Sequence, residues 1–297
     1  MTVTTTSTPV PVYTDNDAGF RTLMKAINDA LISSGCTQEF SNIDFDTVLM
    51  PTTTQIDAGK RVYAFNDDLH AECPIFIQLT FGRGSSSASY YRMGFQLKIA
   101  MGTNHTAGTV TGTFIEHYIV FNARSVDNGQ LITARSDKGL SLFSNIDMDT
   151  NDFQFGFLIE RTSLDGVANT DGAILLAFGY QADTIAVSGN NSVLVLHAVN
   201  FVQGIAYTAN LSSGNETSTQ CSVSATADPS YDDKAPVFPV YTYGGYDPLS
   251  LVLKTSSAYL PSQLFTAKLN GVVGKWRTLF GTYNTWSIKS YMAFRVE

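Results

Sequence analysis

Only one stretch of this sequence carries a helical period, and almost every apolar run after it recurs at every second residue. Within residues 17–34, Phe20, Leu23, Met24, Ile27 and Leu31 fall at i, i+3, i+4, i+7 and i+11, a single stripe at the helical period. Asp15, Asn16 and Asp17 supply capping side chains in front of it, and Gly35 stands where a C′ glycine closes a helix. From Lys60 onward the period falls to two. Ile75, Ile77, Leu79 and Phe81 alternate with Phe76, Gln78 and Thr80, and Phe95, Leu97, Ile99 and Met101 alternate with Gln96, Lys98 and Ala100. A Gly/Ser loop at 82–87 joins the two runs, so they read as an antiparallel pair with one buried face, on which the helix lands. Residues 114–121 are apolar at both parities and read as a central strand.

The second half continues in the same way. Candidate strands cover 153–160, 173–180, 192–200, 204–209, 249–254 and 265–269, separated by turn-rich stretches such as Leu164-Asp165-Gly166 and Ser188-Gly189-Asn190. The fold class that follows is α+β, mainly β. Antiparallel sheets are arranged sandwich-like, with one N-terminal helix packed on a sheet and an extended N-terminal arm. The arm is residues 1–14, where Pro9 and Pro11 discourage helix. A β-rich core with the helix spans 15–234, and a C-terminal β segment packed on that core spans 235–297.

Composition narrows the function. Charged residues are 15% of the 297, against roughly 25% in an average soluble domain, and Ser, Thr, Asn and Gly take their place. A net charge of −8 and a pI near 4.9 argue against a nucleic-acid partner. No Lys or Arg occurs between Arg161 and Lys234, so that stretch cannot track phosphates. No apolar run approaches the roughly 20 residues of a membrane span, and residues 1–6 lack the basic and apolar regions of a secretory signal.

Motifs for chemistry are sparse. Cys36, Cys73 and Cys221 show no zinc spacing and read as thiols, with one disulfide left open. His117 and His197 sit in apolar strand patterns and read as strand histidines rather than a catalytic pair. Residues 147–152 alternate oxygen ligands like the start of a calcium loop, but Asp152 replaces the turn glycine and Leu158 the bidentate Glu. A looser oxygen site stays open there or at Asp44 and Asp46. Gly82-Arg83-Gly84 is no phosphate loop, and neither GxSxG nor HExxH occurs. Phe40-Ser41-Asn42-Ile43-Asp44-Phe45-Asp46-Thr47 returns at 143–150 with one change, which reads as two similar strand-and-turn connections.

Two groups read as contact surfaces. Val10, Val12 and Tyr13 belong to the arm, which can lie across a neighbouring subunit. Tyr241, Tyr243 and Tyr246 form the densest aromatic group, suited to a subunit interface or to stacking on sugars.

Tyr63-Ala64-Phe65-Asn66-Asp67, then Pro74-Ile75-Phe76-Ile77 and Phe81-Gly82, follow a helix ending in Ser34-Gly35-Cys36. This order over residues 17–104 resembles virion structural proteins of tailed bacteriophages, whose N-terminal parts pair a short helix with aromatic strands and a Gly-rich hairpin. The resemblance implies a non-enzymatic component of the tail, baseplate or neck, built by homo-oligomeric contacts and contacts with other virion proteins. It implies no catalytic residue and a place in the virion after synthesis in the host cytoplasm; the residues themselves offer no cofactor motif, no basic surface for a nucleic-acid partner and no membrane span. The alternatives are a tail fibre or tip module binding a host receptor or surface glycan, a capsid decoration protein, and a hydrolase on host polysaccharide.

Overall fold

The computed structural model describes residues 2–10, 16–53, 56–83, 95–113, 115–121, 129–145, 155–180, 192–210, 237–241, 247–255, 263–269, 271–278 and 292–297. Among these residues it is mainly β, with antiparallel sheets and a single helix. The helix, α1 (Asp17–Ser33), starts where the Asn16 side chain accepts the Gly19 N–H at 2.9 Å and stops at Gly35, whose φ of +92° suits glycine. All five stripe residues are fully buried.

The strands, in chain order, are β1 (Thr4–Val10), β2 (Thr37–Ser41), β3 (Ile56–Ala64), β4 (Phe76–Arg83), β5 (Phe95–Gly102), β6 (Asn104–Thr106) and β7 (Thr109–Thr111). There follow β8 (Ile115–Phe121), β9 (Gly129–Arg135), β10 (Gly139–Asn145), β11 (Gly156–Leu164), β12 (Val167–Tyr180), β13 (Ser192–Asn200) and β14 (Ile205–Asn210). The C-terminal set is β15 (Val237–Pro239), β16 (Val252–Thr255), β17 (Leu264–Leu269), β18 (Val272–Thr278) and β19 (Met292–Arg295).

Two meanders make the 12-stranded sheet. One runs β2-β3-β4-β5-β8, and the other runs β1-β9-β10-β11-β12-β13-β14; Tyr180 of β12 pairs with Val120 of β8 to join them. The joined sheet folds over on itself. Tyr63, Ile77, Leu79 and Phe81 of the first meander meet Leu131, Leu142, Phe157 and Ile159 of the second, with α1 between, in one core. Period two alone would leave the other face of each meander wet, but both are covered.

On the first meander the β6–β7 hairpin folds back so that Val110 covers Val62 and Ala100. Beneath it Gln78 Oε1 accepts the Val110 N–H at 3.0 Å, and Gln78 Nε2 donates to Thr80 Oγ1 at 3.0 Å. Two polar alternates are therefore buried yet paired. On the second meander, Ala134, Phe143, Leu158, Ile174 and Leu176 pack on Val252, Met292 and Phe294 of the five-stranded sheet β15-β16-β19-β18-β17 and on Leu249 and Leu251, which lead into β16. This is a sheet-on-sheet sandwich with a helix on the far face of the larger sheet. The repeated Phe-Ser ends a strand in each copy: Phe40-Ser41 closes β2, and Phe143-Ser144 lies at the end of β10.

Candidate assembly interface

The arm residues of the sequence are a strand. β1 lies antiparallel on β9 in an unbroken register from Thr4 opposite Arg135 to Val10 opposite Gly129. Threonine and serine suit an edge: β-branched side chains favour extended backbone and their hydroxyls tolerate water. Thr6 and Thr133 bring their hydroxyls to 2.5 Å, and Val3 packs partly buried at the margin of the core between the sheets. Among the described residues β1 pairs with β9 alone, and α1 lies against both. Val10 closes this strand; Val12 and Tyr13 fall outside the described residues.

Tyr241 is half-buried beside Val240, a member of the core between the two sheets, whose carbonyl accepts the Leu249 N–H at 2.8 Å. Tyr243 and Tyr246 lie outside the described residues. Val10 lies in the large sheet and Tyr241 just beyond β15, and no described contact joins them.

Two buried ionic pairs were not singled out from the sequence. Glu160, on β11 between the sheets, is fully buried; its Oε1 lies 3.3 Å from Lys138 Nζ and accepts the Ser250 N–H at 2.7 Å. Lys138 Nζ also donates to Ser163 Oγ at 2.5 Å, and the hydroxyls of Ser136 and Ser250 meet at 3.2 Å. Burial holds the Glu160 carboxyl above its ordinary pKa, against the pull of Lys138 and the Ser250 hydrogen bonds. The cluster ties the 138 turn, β11 and the segment leading into β16 together.

The second pair faces the helix side. Arg161 Nη2 donates to Asp67 Oδ1 at 3.0 Å and to the Cys73 carbonyl at 2.6 Å, while its Nε donates to Asp67 Oδ2. Beside it the Arg135 guanidinium stacks 3.8 Å from the Phe65 ring centroid and donates to the Asn66 carbonyl. Phe65-Asn66-Asp67, part of the motif that carries the resemblance, is thus where the first meander is bound to β9 and β11 of the second. One signal for both pairs was available: adjacent charges, Glu160-Arg161, at the end of an apolar strand pattern.

Asp44 accepts the Asp46 N–H at 2.9 Å and the Thr47 hydroxyl at 2.8 Å, bonds that lower its pKa and shape a turn. Among the described residues no group of three or more His, Cys, Asp or Glu could hold a metal; residues 147–152 lie outside them. Cys36 and Cys73 are free thiols, and burial pushes Cys36 up to about 11. His117 lies in β8 and His197 in β13. No helix among the described residues is long and apolar enough to cross a membrane. No protein-family model matches the chain, and a search of curated proteins finds no match.

Proposed function

We propose that this chain is a structural protein of a tailed-bacteriophage virion, building the tail, baseplate or neck through repeated contacts between copies and with other virion proteins, with no chemical step. The observation that carries this reading is β1: a neutral, hydroxyl-rich strand at the margin of the large sheet, with one edge on β9. A strand edge is a template for another chain, because its outward N–H and C=O groups are already extended and aligned. The low density of charge supports the same reading, since neutral hydroxyls can be covered by a neighbour at less desolvation cost than ions. The assignment to phage virions rests on the resemblance over residues 17–104.

Mass spectrometry and cryo-electron microscopy of the intact particle test the proposal by giving copy number and position. Several symmetric copies are expected. Deleting residues 2–13 should weaken assembly while the purified chain stays folded; an unchanged copy number after that deletion overturns the role of the arm, and absence of the chain from particles overturns the function.

A further inference from the structure

We infer that β1 is an exchangeable strand: in the assembled state β1 of one copy pairs with β9 of a neighbouring copy, in the register it has within a single chain. The inference rests on the assembly reading above and names the joint. Four observations lead to it. First, β1 is held by its seven-residue backbone ladder to β9 and by lying against α1, but none of its described side chains is fully buried, and only Val3 beside it joins an apolar core. Leaving the sheet therefore uncovers little apolar surface of its own. Second, the body it leaves keeps its main anchors: the five stripe residues of α1 are in the main core, and β9 stays bound to β10 over six pairs.

Third, the vacated place is specific. β9 carries fully buried Leu131 and Ala134, and its freed edge suits a strand with a hydroxyl opposite Thr133 and no positive charge opposite Arg135. Residues 2–10 contain no charged side chain, so a neighbour's β1 meets no repulsion there. Fourth, Pro9 within β1 and Pro11 just beyond it hold the residues before them, Thr8 and Val10, extended, which favours a strand that runs on over one that turns back. The closed and exchanged forms make the same contacts. They differ only in the connection between β1 and α1 and in the concentration of neighbours, which an assembling particle makes high.

The test uses two full-length variants, Thr6→Cys and Thr133→Cys, mixed, allowed to associate and oxidised. Each carries one engineered thiol, so a peptide linking Cys at 6 to Cys at 133 can form only between chains; tryptic mass spectrometry separates it from links to native cysteines. The expected result is this linked two-chain species, increasing with protein concentration. The Thr6→Cys/Thr133→Cys double variant, kept dilute, should form the same link within one chain. An oligomer without the interchain link, alongside a double variant that closes on itself, overturns the exchange and leaves the assembly reading standing. Failure of the double variant to link at all overturns the pairing on which the exchange depends. A chain that stays monomeric at every concentration, with no interchain link, overturns both.

Discussion

Glu160 and Arg161 are neighbours in β11, and their side chains leave the sheet on opposite faces, each to bind a charge from another part of the chain. Glu160 meets Lys138 where the two sheets pack; Arg161 meets Asp67 where the sheet folds over itself. One dipeptide thereby anchors three layers. Removing Lys138 alone strands a buried carboxylate. Lys138→Met should cost about 3–5 kcal/mol in urea unfolding. Lys138→Met/Glu160→Gln should recover most of it, because a neutral amide oxygen still accepts the Ser250 N–H. A double variant no more stable than the single one would show that the ion pair contributes more than its charges.

The same carboxyl makes stability depend on pH. Its folded pKa lies above its ordinary value of 4.5, because burial disfavours the anion. The folded state therefore holds this proton more tightly than the unfolded chain. That contribution is full below the ordinary value and is lost as pH rises through the raised folded value. Measured against Glu160→Gln, which has no such proton, the wild-type chain should lose relative stability as pH climbs above 4.5. A difference that stays flat with pH would mean that Lys138 and Ser250 offset the burial completely.

How far the sequence could be read follows from what each element needed. α1 was legible to its caps because stripe, Asn16 and Gly35 are all local. β4, β5 and β13 were legible because their apolar residues alternate or run on between clear turns. β9 and β10 were not: Thr133, Arg135, Ser136, Lys138 and Ser141 interrupt the pattern, and each is buried or half-buried only because another part of the chain covers it. β18 escaped for a like reason, with Lys275 and Arg277 alternating about a fully buried Trp276. Partners such as Ser250 for Glu160 and Asp67 for Arg161 are long-range pairings that no local period encodes. The edge placement of β1 is likewise decided by a strand more than a hundred residues on. Its extended character was legible from Pro9 and Pro11; its partner was not.

The β6–β7 turn stores removable strain. Ala107 and Gly108 both have positive φ, +48° and +76°, as a two-residue type I′ hairpin requires. Alanine tolerates that region poorly where asparagine does not, so Ala107→Asn should raise stability by about 1 kcal/mol. Gly108→Ala should do the reverse, because its methyl would run into the Phe40 ring as well as the backbone restriction. Thermal unfolding of both variants checks the pair. Equal melting temperatures would indicate a turn conformation without positive φ.

The helix stripe lies at the heart of the main core. Ile27 is fully buried against the sheet, so Ile27→Ala should cost about 2–5 kcal/mol through lost burial and the cavity left behind. Ile27→Lys should prevent α1 from docking altogether, read as loss of the cooperative unfolding transition. Asn16→Ala should cost only about 1 kcal/mol, since it removes one cap bond from an end that packing already holds.

The Asp67–Arg161 pair tests whether the motif behind the resemblance serves to fold the sheet over. Its side chains are almost wholly buried, and the guanidinium also bonds the Cys73 carbonyl, so three acceptors are matched to one planar fork. Lysine keeps the charge but presents a single point, and cannot serve both carboxylate oxygens and the carbonyl. Arg161→Lys should therefore destabilise the chain measurably, and Asp67→Ala should cost about 3–5 kcal/mol by leaving the guanidinium buried and unpaired. Because the pair joins the two meanders rather than either one alone, hydrogen exchange in Asp67→Ala should speed up on both sides of the joint, in β3–β4 and in β9–β11 together. Faster exchange confined to residues 65–75 would mean that the pair merely fixes a loop and that the shared core alone holds the halves closed.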